Sequence, residues 1–243
     1  MNLFRLTVLL FLIGAGSFQL NAQSNDFYSQ GGAQSGKYFA GFGYGLGAAW
    51  WNSSIGNTGL FDRNGNLIQS GRVNFTANNP ISLVNMEILV PMNRLHLGFG
   101  LSFEDHSLSE LTLHPGISPA EGNTIVFDQD FSFVKMYFII EAPFTRSAAK
   151  NYTISFKGNA GYFGYSGATH LNFFGNGEIA SAYCVNAGLI GEYKVYSKVY
   201  IFLNPSFEYK YYSNDTYEGN GLIRHNILSL SIVGGIRLDV SRK

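Results

Sequence analysis

The sequence predicts an all-β fold: an eight-stranded antiparallel up-and-down transmembrane β-barrel with short periplasmic turns and long extracellular loops. Apolar and polar residues alternate with period two along eight segments. After the N-terminus, no stretch reaches the roughly 18 continuous apolar residues of a spanning helix. Short connections alternate with long ones. Charged residues make up only 13% of the chain and aromatic residues 16%, so an apolar solvent is expected on one face of the sheet.

The first residues form the pattern of a secretory signal peptide. Arg5 supplies a positive charge, residues 6–13 are an apolar core, and Leu20-Asn21-Ala22 precedes the expected cleavage site. The alternative, a membrane-anchor helix, needs a longer apolar run. We therefore predict a signal peptide over residues 1–22, a flexible polar lead-in over 23–37 and an outer-membrane barrel domain over 38–243.

The stretch AGFGYGLGAAWW, residues 40–51, is the first predicted strand. Its alternation predicts that aromatic and apolar side chains face lipid while the glycines face the lumen, where they leave room for longer side chains. A dinucleotide-binding loop needs a G-x-G-x-x-G pattern followed by a helix, and this stretch has neither. The lipid-facing residues are Phe42, Tyr44, Leu46 and Trp50, and the lumen glycines are Gly41, Gly43, Gly45 and Gly47.

Seven further segments alternate in the same way. In FSFVKMYFIIEA, for example, Met136, Phe138 and Ile140 oppose Lys135 and Glu141. A membrane barrel places the apolar face toward lipid and the polar face toward the lumen, with aromatic girdles at both interfaces. The expected girdle residues are Trp50, Tyr152, Tyr162, Tyr183, Tyr193, Tyr209 and Tyr211.

The connections alternate in length along the chain. The short ones are residues 91–94, 145–149 and 196–198, and the long ones are 52–80, 105–130, 164–180 and 213–224. Antiparallel neighbours place all short turns at one end of the barrel, as in outer-membrane proteins. Asn64-Gly65, between two short apolar runs, predicts a small hairpin in the first long loop. Gly56 is expected to be exposed in the same loop.

The polar faces predict a barrel-interior polar network. An eight-stranded lumen is only wide enough to be filled by side chains, and buried charges must be paired. We therefore expect a salt-bridged polar core rather than an open channel, with a proton or solute path as the alternative. The residues of the network are Glu87, Lys135, Glu141, Lys157, Glu192, Glu208, Lys210 and Arg237.

No catalytic residue, metal ligand or cofactor is predicted. The histidines, His96, His106, His114, His170 and His225, are not at metal-ligand spacing, and the last four are expected to be solvated near the long-loop end. The alternative is a rim active site that combines His225 with Ser229 or Asp215. The one cysteine, Cys184, is expected to be packed inward.

The chain resembles the small outer-membrane β-barrel proteins, and it is similar in layout to the PorT-like and OmpX-like barrels. The resemblance spans residues 38–240 and includes the Ala22-Gln23 junction and the last strand, where Gly235 precedes spaced apolar residues that end at Leu238 and Val240. It implies assembly into the outer membrane and a link to protein secretion.

The favoured function is a non-enzymatic outer-membrane barrel that acts as an anchor and displays loops. Its expected partners are outer-membrane lipid and other envelope proteins, reached through extracellular loops or periplasmic turns. Nucleic acid is not expected, because the chain without Arg5 has 15 basic and 16 acidic side chains, a net charge of −1. The alternatives are an outer-membrane enzyme with a rim site and a soluble lipocalin-like carrier with an apolar, roomy interior.

Overall fold

The structure is a computed structural model, and it describes residues 37–56, 60–61, 66–93, 95–114, 123–146, 151–166, 171–174, 181–215 and 222–241. The predicted signal peptide and nearly all of the predicted lead-in lie outside the described residues. The predicted turn residues Asn64 and Gly65, and His170, lie outside them as well.

Eight long antiparallel strands form the wall of a closed barrel. They are β1 (Phe39–Ile55), β4 (Val73–Met92), β5 (Leu95–His114), β6 (Asn123–Arg146), β7 (Tyr152–Ser166), β8 (Ser181–Tyr196), β9 (Val199–Asp215) and β10 (Leu222–Asp239). Each strand pairs with its neighbour in the chain, and β1 closes the ring by pairing with both β4 and β10. The predicted fold class is confirmed.

A small hairpin and a short helix lie outside the wall in the described part of the chain. The strands β2 (Leu60–Phe61) and β3 (Leu67–Gln69) pair with each other in an antiparallel hairpin. The sequence of the first long loop predicts this hairpin. The helix α1 (Leu171–Phe174) follows β7. No helix among the described residues is long and apolar enough to cross a membrane.

The wall strands extend further from the short turns than their sequence pattern predicts. The predicted loop over residues 52–80 already contains the first part of β4, which begins at Val73. Likewise β5 continues to His114 and β6 begins at Asn123, within the predicted loop over 105–130. Those two loop predictions are wrong in extent, and the reason is a change in the alternation along each strand.

Next to the short turns, the alternation is that of a membrane barrel. On β6, Met136, Phe138 and Ile140 point outward and are 39–56% exposed, whereas Lys135 and Tyr137 point into the lumen and are buried. On β1, Phe42, Tyr44, Leu46 and Trp50 likewise point outward and are exposed. An exposed apolar band of this kind requires lipid around it, because contact between so much apolar surface and water is unfavourable in free energy.

Further along the same strands, the apolar face changes sides. On β6 the outward residues become Ser132 and Asp130, and the inward ones become Phe133 and Phe131, which are buried. β4 changes in the same way, and its upper inward residues include Phe75. A wall that has left the bilayer meets water on its outer face, so its apolar residues turn inward as in a soluble barrel.

Aromatic residues mark the edges of the apolar band. The predicted girdle residues Trp50, Tyr152, Tyr162, Tyr183 and Tyr193 are 40–73% exposed on the outer wall, and Tyr209 and Tyr211 are half-buried there. Tyr183 and Tyr211 are ladder partners whose rings stack at 5.1 Å between centroids. Amphipathic rings favour the level of the lipid head groups.

The glycines of β1 make the wall thin where the lumen is crowded. A Cβ atom on Gly43 would lie 2.5 Å from Asn85 Oδ1 and 2.8 Å from Val233 Cγ1. A Cβ atom on Gly41 would lie 2.8 Å from Glu87 Cγ. These positions admit no larger side chain without displacing the residues opposite.

We predict that Gly43→Leu impairs assembly and destabilises the barrel by about 1–3 kcal/mol, because it overpacks the lumen. The measurement is a denaturant titration of refolded protein, read by the different migration of folded and unfolded barrel on an unboiled gel. Gly191→Leu is the matched control, since nothing lies within 4 Å of a Cβ there and the residue is exposed on the outer wall. Gly56 is not a suitable control, because it is buried rather than exposed. Equal stability of the two variants would contradict the thin-wall explanation.

Candidate functional site

The lumen contains a layer of ion pairs near its periplasmic end. Arg237 of β10 donates from Nε to Glu87 Oε1 at 2.7 Å and from Nη1 to Glu192 Oε1 at 2.6 Å, and its Nη2 lies 2.9 Å from Glu141 Oε2. Lys157 of β7 also pairs with Glu87. We call these five residues the lower ion layer. The side chains come from five different strands, so the layer bridges the barrel across its width.

A second group, the upper ion ring, lies further toward the extracellular side. Lys135 lies 2.5 Å from Glu104 and 2.9 Å from Glu208, and Lys210 lies 2.7 Å from Glu104 and 2.8 Å from Glu208. The four charges therefore alternate around a ring, and each is in contact with two opposite charges. His106 Nε2 lies 2.7 Å from the same Glu104 oxygen that Lys210 contacts. Charges in a low-dielectric interior are stabilised only by such pairing.

A small polar cavity separates the two groups. Its volume is about 30 Å³, and amide, hydroxyl and charged side chains line it. Within the described residues, Asn85 Oδ1, Ser102 Oγ and Asn159 Oδ1 are buried in its lining without a hydrogen-bond partner. A cavity of this size has room for one or two water molecules, and a larger solute does not fit.

The extracellular half of the lumen is filled by an aromatic cluster rather than by polar residues. Trp51, at 2% exposure, packs edge-to-face against Phe131 and His106. The rings of Phe173 and Phe174, from α1, pack inside the lumen against Phe131 and Phe133 of the wall. The expectation of a polar lumen is therefore wrong for this half, because its wall faces water on the outside and must bury its apolar residues inside.

Backbone carbonyl groups of α1 are hydrogen-bonded to the barrel wall. Tyr212 donates its hydroxyl to the Phe174 carbonyl at 2.6 Å, and Asn214 donates to the same oxygen at 2.8 Å. His225 Nε2 lies 2.7 Å from the Phe173 carbonyl. A carbonyl can only accept, so Nε2 carries the proton, and Nδ1 accepts from the Ser53 hydroxyl at 2.9 Å. The helix is thereby fixed as a plug in the extracellular mouth.

The structure brings the predicted interior residues together in the two ion groups. All eight are buried, six with less than 5% exposure. Glu104 and His106 belong to the upper ion ring and its surroundings, but they are absent from the predicted network. They share the inward face of β5 with Ser102. The period-two alternation of that strand is therefore the sequence signal that assigns both residues to the lumen.

The histidines are not arranged as expected. His106 and His225 are buried in the lumen rather than solvated, because both lie on inward positions of wall strands. His114 is half-buried and bonds Thr76 at 3.0 Å. Ser229, one of the two partners of His225 in the rim-site alternative, instead accepts a hydrogen bond from Lys210 at 2.8 Å. Asp215 has no described side chain.

Cys184 is buried in the wall at 3% exposure. In the part of the chain that the structure describes, no group of three or more His, Cys, Asp or Glu residues could hold a metal ion. The periplasmic end is covered by a small apolar cluster of Phe39, Leu89, Tyr137, Ile139 and Tyr200. The lumen is thus filled along its length by packed and paired side chains.

These features place the chain in the bacterial outer membrane. A closed antiparallel barrel with an even number of strands, an apolar outer band and aromatic edges is the architecture of outer-membrane proteins. The soluble-carrier alternative is wrong, because the charges lie in the lumen and the apolar side chains face outward.

Solved structures of outer-membrane barrels are similar to this chain. OprG from Pseudomonas aeruginosa has a TM-score of 0.45 at 7% identity, and the match covers 86% of this chain and 99% of that one. Neisserial surface protein A has a TM-score of 0.38 at 13% identity, with 82% and 96% covered. The outer-membrane protease OmpT from Escherichia coli has a TM-score of 0.38 at 7% identity, with 83% and 96% covered.

No protein-family model matches the chain. No curated protein matches it either.

We predict that Lys210→Met destabilises the barrel by about 3–5 kcal/mol, because it leaves Glu104 and Glu208 with only one cation between them. The double variant Lys210→Met/Glu104→Gln restores charge balance in the ring and should recover part of the loss. Stability is measured by denaturant titration of the folded band.

Arg224→Met is the control for removing a positive charge, since Arg224 is exposed on β10. It should change stability by no more than about 0.5 kcal/mol. If the double variant is as unstable as Lys210→Met, or more so, the ring does not act as a charge-balanced unit.

Proposed function

We propose that the protein is a non-conducting, non-enzymatic outer-membrane barrel that anchors and displays its extracellular end. The observation that carries the proposal is the filled lumen. A solute that enters from outside meets α1 and the aromatic cluster first, and then the upper ion ring and the lower ion layer. The cavity between the ion groups is about 30 Å³, which excludes anything much larger than water.

The extracellular end is suited to display because it is long and rigid. The upper parts of β4, β5 and β6 project beyond the apolar band with polar outer faces, including Asp130 and Ser132. Their inward faces pack in the aromatic cluster, which stiffens the projecting wall. The resemblance to PorT-like barrels would assign such a surface to contacts with envelope proteins in secretion.

An enzymatic function is less well supported. Ser53 and His225 are the pair most like a nucleophile and base, with 2.9 Å between Oγ and Nδ1. Both are nearly inaccessible, at 3% and 0% exposure, and the rings of α1 cover His225. No carboxylate is among the hydrogen-bond partners of His225 in the described structure. The pair therefore acts in our proposal as a structural bond.

Conductance and serine reactivity test the proposal together. In planar bilayers, the purified barrel should give no stable unitary conductance steps, and a porin in the same membranes serves as the positive control. A fluorophosphonate probe should not label the barrel at Ser53, because the hydroxyl is enclosed. Ser53→Ala supplies the background signal.

A plug variant makes the test sharper. Phe173→Ala/Phe174→Ala removes both rings of the plug, yet the ion groups below remain, so conductance should still be absent. Reproducible steps in the unmodified protein would contradict a closed barrel. Labelling that disappears in Ser53→Ala would favour the enzyme alternative.

A further inference from the structure

The aromatic girdle does not extend around the whole barrel. At the extracellular edge of the apolar band, Trp50, Tyr162, Tyr183, Tyr209 and Tyr211 lie on β1, β7, β8 and β9. On β4, β5 and β6, the apolar band ends at the outward residues Val84, Phe103 and Val134, which are ladder partners of one another. The next outward residues are Ser82, Asp105 and Ser132, again ladder partners. Beyond Phe103, this sector of the wall meets the lipid head groups with hydroxyl and carboxylate groups, without a Trp or Tyr side chain at these three positions.

A groove occupies this sector. Its volume is about 410 Å³, within the usual range for small-molecule sites, and it is open to the outside of the barrel. Its polar lining comes from Ser82, Asp105, Ser107, Asp130 and Ser132, and Leu46 lines its β1 side. Residues of the aromatic cluster, among them Phe131, form its back. The groove is therefore continuous with the apolar band at Leu46 and acidic at its rim.

The charge of the groove selects the kind of group that fits it. Among the described residues that line it there are two carboxylates and no Lys or Arg side chain. The Ser132 hydroxyl donates to Asp105 Oδ1 at 2.5 Å, which orients that carboxylate on the outer wall. Carboxylates and hydroxyl oxygens accept hydrogen bonds, so the complementary group is a cation with N–H donors.

We propose that this groove binds the head group of a membrane lipid that carries a primary ammonium. An ammonium offers three donors to Asp105, Asp130 and the nearby hydroxyls, and the acyl chains of the same molecule would lie against Leu46 and the band below it. A lipid is the occupant because the groove lies at the boundary between apolar and polar outer wall. The inference rests on the placement of the barrel in the membrane.

Lipid retention measured by native mass spectrometry tests this inference. The barrel is reconstituted in equal amounts of phosphatidylethanolamine, phosphatidylcholine and phosphatidylglycerol with identical acyl chains. Phosphatidylethanolamine should be retained about two- to fivefold over phosphatidylcholine, the scale of exposed ion pairs. The comparison of phosphatidylethanolamine with phosphatidylcholine is specific, because each head group carries one phosphate and only the ethanolamine head group has N–H donors.

Isosteric variants locate the site. Asp105→Asn and Asp130→Asn should each reduce the preference for phosphatidylethanolamine, and together they should abolish it. Asp128→Asn is the matched control, since Asp128 is exposed on β6 and does not line the groove. It removes the same charge and should leave the preference unchanged.

Three results would overturn the inference: equal retention of all three lipids, a preference that survives Asp105→Asn/Asp130→Asn, or loss of the preference in Asp128→Asn. Displacement of the lipid by free ethanolamine at equal concentration would point to a soluble amine and would also overturn it. Migration of each variant on an unboiled gel shows whether it folds. Failure of the unmodified barrel to insert into vesicles would instead contradict the proposed membrane function, so the two failures are distinguishable.

Discussion

The structure depends on one constraint: each long wall strand crosses from lipid into water, so its apolar side must change on the way. Within the bilayer the outer face is apolar and the inner face polar, and beyond it the faces exchange roles. On β6 the exchange occurs between the outward residues Val134, where the apolar band ends, and Ser132, the first polar residue beyond the band. The change needs no break in the ladder at that point, because Lys135 and Phe133 both remain on inward positions.

The lumen follows from the same constraint. Where lipid covers the outside, the interior receives the charged residues, and these are tolerated because each finds opposite charges. Where water covers the outside, the interior receives Trp51 and the phenylalanines, and α1 completes their packing. The upper ion ring marks the junction, since His106 contacts Glu104 on one side and Phe131 and Trp51 on the other.

Sequence reasoning predicted the membrane part of the fold well because its alternation is regular and long. The strand order, the lipid-facing residues of β1 and the hairpin of β2 and β3 all follow from local patterns. The sequence of the upper wall predicts loop because its alternation has the opposite phase. If a single phase is assumed for the whole strand, the polar outer residues of β5 beyond Phe103 resemble a loop. A strand with two phases can be found only by allowing the apolar face to switch.

The plug was not predictable from periodicity. Phe173 and Phe174 lie in a short segment between wall strands, and only the tertiary structure shows that they enter the lumen. The pairing within the ion groups also depends on barrel closure, because Arg237 and Glu87 are far apart in sequence and are brought together across β1. The residue types in the lumen could be predicted, but their partners could not.

Cysteine scanning along β6 tests the change of face most directly. Single cysteines at residues 130 to 140 are placed in a Cys184→Ser background and probed in vesicles with a water-soluble maleimide and a lipid-soluble one. We predict that positions 130 and 132 react with the water-soluble reagent, that 136, 138 and 140 react only with the lipid-soluble one, and that 131, 133 and 135 react with neither. Reaction of 136 to 140 with the water-soluble reagent, or of 131 and 133 with the lipid-soluble one, would contradict a wall whose apolar face reverses at the membrane boundary.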